Sequence, residues 1–118
     1  ITSLSGHDGA VTAIAFAPDG RVVTGGDDAT VRFWVEGESV ARWAVEDWVT
    51  DLAVTPDGAI LAVALQDGVV QLWGIEDGEM LASFDAHDGP VSAIRFNAAG
   101  TLLASAGEDG VVRVWGLR

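Results

Sequence analysis

The chain reads as an all-β protein in which one four-stranded antiparallel unit is used three times. Two observations carry that reading. One pattern of residues returns across positions 7–34, 45–73 and 87–115, at a period of roughly forty residues, the range of solenoids, propellers and arrays. Within each unit, short β-prone segments are separated by Gly, Pro and Asp, and no stretch carries apolar residues at helical spacing for the length a helix needs. Val11, Val49 and Val91 align. So do Gly20, Gly58 and Gly100, then Asp28, Asp67 and Asp109, then Trp34, Trp73 and Trp115.

The first unit justifies its elements in order. Val11–Phe16 (VTAIAF) places apolar residues at alternate positions, the period of a strand. Ala17-Pro18-Asp19-Gly20 is a turn, with Pro and Asp suited to its first half and Gly free to take positive φ. A second strand is expected over 22–24, and Gly25-Gly26-Asp27-Asp28 reads as the next turn. Thr30–Val35 (TVRFWV) is rich in β-branched and aromatic residues, as a third strand should be. Glu36-Gly37-Glu38 turns the chain into a fourth strand over 39–44. The second unit repeats this over 49–54, 60–64, 69–73 and 80–84, and the third over 91–96, 102–106 and 111–115.

Composition narrows the functional classes. A chain of 118 residues with 49 % hydrophobic content can pack a core and is one domain by length. No apolar run approaches the length needed to cross a bilayer as a helix, and no signal peptide is visible. The chain starts at Ile, which suggests a trimmed start or tag. Cysteine is absent, which removes disulfides, thiolate metal sites and thiol nucleophiles, and fits a reducing, cytoplasmic setting. Eighteen acidic residues face six arginines, giving a net charge of −12. Such a surface repels phosphate backbones and anionic headgroups, so neither nucleic acid nor membrane is an expected partner. The acidic turns Asp27-Asp28 and Glu76-Asp77-Gly78-Glu79 lack calcium-loop spacing, and the two histidines lie in different units. No metal and no cofactor is expected.

The repeated residues follow a known order: a Gly-His pair, a strand, a Pro-Asp-Gly turn, a strand with Ser or Thr, an Asp turn and a strand ending in Trp. Gly6-His7, Pro18-Asp19-Gly20, Thr24, Asp28 and Trp34 carry it in the first unit. His87, Gly100, Ser105, Asp109 and Trp115 carry it in the third. Over essentially its whole length the chain resembles a run of WD40 repeats. It departs from the family in lacking the Trp-Asp dipeptide, with Trp34-Val35, Trp73-Gly74 and Trp115-Gly116 instead. His87 follows Ala86 rather than Gly, and the middle unit places Val45 at the His position and Val63 at the Ser or Thr position.

The resemblance implies three four-stranded blades of a β-propeller and a non-catalytic platform for protein partners. It also implies that His7, Thr24, Asp28 and Trp34 form a structural hydrogen-bond network within one blade, as do His87, Ser105, Asp109 and Trp115, with Asp67 and Trp73 left in the middle blade. The chemistry agrees: indole N–H only donates, carboxylate only accepts, and imidazole and hydroxyl do both. A set repeated in each blade also argues against catalysis, which needs its residues once.

Two tryptophans lie off the repeat. Trp43, in the fourth strand, is expected to pack against a neighbouring blade. Trp48 precedes the strand that starts at Val49, in the loop that opens on the partner-binding face of WD40 proteins. It is either a partner hot spot, together with Asp47, Asp8 and Asp88, or a cover for the hole left by the missing His.

Three blades leave two open faces and unpaired strand edges, whereas propellers close with about four to eight. Residues 1–5 resemble the outer strand that precedes each unit, and the chain stops just past Trp115, before the last blade gains its outer strand. The strand 1–5 of one copy is therefore expected to complete the last blade of the next, closing a ring of two or three copies. Two further readings stay open: an enzyme with a site in the propeller channel, and an engineered or recently amplified assembly with no selected partner.

Overall fold

A computed structural model describes residues 3–117. Residues 1 and 2 of the expected leading strand lie outside the described residues, and residues 3–5 carry no strand. Eleven strands follow: β1 Val11–Phe16, β2 Val22–Gly26, β3 Thr30–Val35, β4 Glu38–Ala44, β5 Val49–Val54, β6 Ile60–Leu65, β7 Val69–Gly74, β8 Met80–Asp85, β9 Val91–Phe96, β10 Leu102–Gly107 and β11 Val112–Gly116. They form three antiparallel meanders: β1-β2-β3-β4, β5-β6-β7-β8 and β9-β10-β11. Two blades thus have four strands, and the third has three among the described residues.

The repeat is visible in backbone detail. Each first hairpin turns through a glycine at positive φ, with Gly20 at 97°, Gly58 at 75° and Gly100 at 72°. The amide of each closes the turn onto a carbonyl three residues back, at 2.9 Å in the first two and 3.0 Å in the third. Each β1-type strand is bulged where it begins, between Val11 and Ala13 and between Val49 and Asp51, and the matching break on the third blade falls at Ala106/Gly107. Gly25 and Gly26, read as a turn, belong instead to β2. A β-carbon on Gly25 would collide with the Val49 side chain of the next blade. Glycine at that position serves close packing rather than a turn.

The core lies between blades, not within them. Ala13, Val23, Val31 and Phe33 of blade 1 meet Val49, Leu52, Leu61, Val63 and Leu65 of blade 2. Ala53, Ala62, Ala64, Val70 and Leu72 of blade 2 meet Val91, Ile94 and Leu103 of blade 3. Every sheet is apolar on both faces for this reason. Trp43 packs across the first junction, stacked on Trp73 of blade 2 at 5.1 Å between centroids and 22° between planes. The innermost strands β1, β5 and β9 lie side by side, which brings the loops entering them to one end of the molecule.

Candidate functional site

The polar residues repeated in the sequence meet inside blades 1 and 3. In blade 1 the Trp34 indole N–H donates to Thr24 Oγ1 at 2.9 Å. His7 Nε2 lies 2.7 Å from that oxygen, and His7 Nδ1 lies 3.0 Å from Asp28 Oδ2. With the imidazole proton on Nδ1, every donor in the chain has an acceptor. Blade 3 repeats the arrangement: Trp115 N–H to Ser105 Oγ at 3.1 Å, His87 Nε2 to the same oxygen at 2.9 Å, and His87 Nδ1 to Asp109 Oδ1 at 3.1 Å. Burial tends to raise the Asp28 carboxyl. The Thr30 hydroxyl, the Asp8 amide and His7 outweigh it and bring Asp28 down to about 2. Asp109 is also lowered, with burial opposing the Asp88 and Val111 amides and His87.

Glycine makes room for the imidazole. A β-carbon on Gly107 would stand 2.5 Å from the His87 ring, and one on Gly26 would stand 3.2 Å from His7 Nδ1. The corresponding residue of blade 2 is Leu65, fully buried. It fills the space the ring takes elsewhere.

Blade 2 also corrects the alignment. Val45 N–H bonds the Ala29 carbonyl, and Ala86 N–H bonds the Gly68 carbonyl, so Val45 matches Ala86. Glu46 therefore stands at the His position, and the loop into β5 is one residue shorter. Trp73 N–H donates to Gln71 Oε1 at 3.1 Å, and Gln71 Nε2 reaches Glu46 at 3.4 Å. Gln71 is buried and replaces Arg32 and Arg113 of the other blades. Asp67 keeps only the turn-capping part of its role, accepting the Val69 amide at 3.1 Å. Sequence reasoning missed Glu46, Leu65 and Gln71. The Gly-to-Leu and Arg-to-Gln changes were visible in the aligned repeats and point to the same replacement.

The remaining predicted site residues lie in the loops entering β1, β5 and β9. Each such loop is bonded to the second turn of its own blade. Asp27 N–H donates to Ala10 at 3.0 Å, Gln66 N–H to Trp48 at 2.9 Å, and Glu108 N–H to Pro90 at 3.0 Å. Asp8 and Asp88 donate their amides to Asp28 and Asp109, and leave their carboxylates exposed. Asp47 accepts the Trp48 amide at 2.7 Å. Trp48 is 53 % exposed, so it does not cover the space that Leu65 fills. These loops and turns carry Asp8, Asp27, Glu46, Asp47, Asp88 and Glu108, and no Arg or Lys.

A hollow of about 470 Å³ opens along the innermost strands, lined by Ile14, Asp51, Leu52, Pro56 and Arg95 among others. Its charged groups are already used. Asp51 Oδ2 accepts the Ile94 amide at 2.9 Å and Arg95 Nη1 at 2.7 Å, tying blade 2 to blade 3. Among the described residues, no group of three or more His, Cys, Asp or Glu side chains is placed to hold a metal ion.

The model of the "WD domain, G-beta repeat" family matches residues 1–35, 37–74 and 78–116. Telomerase protein component 1 of Rattus norvegicus is 33 % identical over 99 residues, which covers 77 % of this chain and 4 % of that protein. Protein HIR1 of Yarrowia lipolytica is 32 % identical over 121 residues, covering 84 % of this chain and 11 % of that protein. This chain thus spans a small part of either relative. Among solved structures, U3-55K superposes with a TM-score of 0.92 at 22 % identity, covering 97 % of this chain and 38 % of that one. The RRP9 WD40 repeats superpose with a TM-score of 0.91 at 23 % identity, covering 97 % of this chain and 37 % of that one. The matched repeats account for nearly every residue, and the chain belongs to the WD40-repeat family.

Proposed function

We propose that this chain is a non-catalytic scaffold that holds a protein partner on its loop end, with Trp48 as the anchor and Asp47, Asp8 and Asp88 around it. The carrying observation is the exposure of Trp48 on an end that also carries exposed carboxylates. Large aromatic side chains dominate binding energy at protein interfaces, and an exposed indole is an available one. The polar residues that resemble a catalytic set occur in two blades and satisfy one another, which speaks for structure rather than turnover. Relatives named as a component of telomerase, a CCR4-associated factor homolog and a small ribosomal subunit protein fit a role within larger assemblies. The charge of −12 favours a protein partner over nucleic acid or an anionic membrane. As a finer reading, the chain self-assembles into a closed propeller of two or three copies.

The test is capture from a lysate of the source organism by wild type and by Trp48→Ala, both checked for native folding. A partner held by wild type and lost by the variant supports the anchor. Equal capture by both overturns Trp48 as the site, and no partner for either overturns the scaffold reading.

A further inference from the structure

Seven Asp-Gly dipeptides punctuate this chain, and the fold holds five of them differently from the other two. The five stand in tight turns between strands. In each, the aspartate carboxylate accepts the amide two residues on: Asp19 from Arg21, Asp57 from Ala59, Asp67 from Val69, Asp77 from Glu79 and Asp109 from Val111, at 3.0 to 3.2 Å. In each, the glycine amide also closes the turn: Gly20 onto Ala17, Gly58 onto Thr55, Gly68 onto Leu65, Gly78 onto Gly74 and Gly110 onto Gly107. Carboxylate and following amide are both engaged.

Asp8-Gly9 and Asp88-Gly89 lie instead in the loops entering β1 and β9. Asp8 and Asp88 are anchored through the main chain, donating their amides to Asp28 at 2.9 Å and Asp109 at 3.0 Å. Both side chains are exposed. Among the described residues, neither carboxylate accepts a hydrogen bond, and neither the Gly9 nor the Gly89 amide donates one. The two glycines differ in their surroundings. Gly9 lies against the Asp27 carboxylate, with which a β-carbon would collide. Gly89, at φ 130°, has nothing within 4 Å of the place a β-carbon would take.

We propose that Asp88-Gly89 is a modification site, where the folded chain converts spontaneously to isoaspartate, with Asp8-Gly9 following more slowly. The Gly89 amide nitrogen attacks Cγ of Asp88. The new N–Cγ bond closes a five-membered succinimide, the amide proton is lost, and a carboxyl oxygen leaves as water. A water molecule then adds to one of the two ring carbonyls. Opening at the main-chain carbonyl leaves the peptide running through Cβ and Cγ, with the former main-chain carbonyl as a free carboxylate. One water is released and one consumed, and nothing is oxidised or reduced. Glycine after the aspartate hinders the attack least, because it has no β-carbon. The free space around Gly89 lets its nitrogen swing onto Cγ. At Asp8 the Asp27 carboxylate crowds that motion and opposes the negative charge that builds on the attacked carboxyl group. In the five turns, two hydrogen bonds must break before the attack can begin.

The experiment is to age the full chain at neutral pH, folded and in guanidinium chloride, and to quantify isoaspartate at each aspartate by peptide mapping. Methyl transfer by an isoaspartyl-specific methyltransferase gives an independent total. Each folded rate is read against the rate of the same dipeptide in denaturant. The folded chain should accumulate isoaspartate first at Asp88 and then at Asp8. The five bound dipeptides should react at least about tenfold more slowly, since each must first give up two hydrogen bonds. Asp88→Glu keeps the main-chain bond to Asp109 and lengthens the side chain past the favoured ring size, so it should remove the Asp88 signal and leave the rest unchanged. An Asp88 that stays intact in the folded chain while it reacts in denaturant overturns the proposal. So do equal folded rates at Asp88 and Asp57.

Discussion

Blades 1 and 3 tie their strands together with a histidine network, and blade 2 does the same work with a different set. In the outer blades an imidazole bridges a hydroxyl and an Asp, and a glycine beneath it gives it room. In blade 2 the glycine becomes Leu65, the hydroxyl residue becomes Val63, and the Trp73 indole turns to Gln71, which reaches Glu46. The lesson is that the unit of substitution is the group of positions. A buried polar residue removed alone leaves its partners unpaired, at a cost of about 1–3 kcal/mol, whereas changing all members together can be nearly neutral.

The comparison breaks most visibly at the glycine. Gly107→Leu alone should lower stability by about 3 kcal/mol, since the new side chain overlaps the His87 ring. Installing the whole set of blade 2 (His87→Glu, Ser105→Val, Gly107→Leu and Arg113→Gln) should recover most of that loss. Urea denaturation of both proteins checks this, and equal stability for single and quadruple variants would contradict it.

A smaller effect is expected from His87→Ala, about 2 kcal/mol, because Ser105 and Asp109 lose their partner in a buried site. Glu46→His, at the His position of blade 2, should change little, since Leu65 and Val63 leave an imidazole neither the glycine space nor the hydroxyl partner of the other blades. Equal and negligible melting shifts for both would end the network account of blade 3.

A separate effect is on acid stability. The Asp28 carboxyl is lowered to about 2 from 3.8. A lowered carboxylate stabilises the fold above its unfolded value, and that contribution is lost as pH falls through the folded one. Melting temperature should therefore drop between pH 4 and pH 2, and Asp28→Asn should flatten that part of the curve while lowering stability at neutral pH. A profile identical to wild type would show that the fold does not stabilise the Asp28 carboxylate.

Much of the fold was legible because a β-meander advertises itself locally. Strand positions such as Val11–Phe16 follow from alternation, and the Gly20 turn from residue chemistry. The histidine networks were legible through the resemblance to WD40 repeats, which implies them for the repeated His, Thr or Ser, Asp and Trp. Gly25 and Gly26 were not, since glycine marks both turns and close packing, and only the Val49 side chain and the His7 ring distinguish the two. Glu46 was hidden by a loop one residue shorter, which shifts the alignment at the point where the His should stand.

By itself the sequence determined the repeat, the all-β class, the acidic surface and the residues able to bond one another, because these depend on local pattern and composition. The tertiary structure decided which faces meet. Only packing one blade on the next shows that Leu65 fills the imidazole space, that Trp48 is left exposed, and that Val31 and Phe33 are buried by blade 2. Those facts depend on which side chains lie across a junction, and residues distant in sequence become neighbours only when the chain folds.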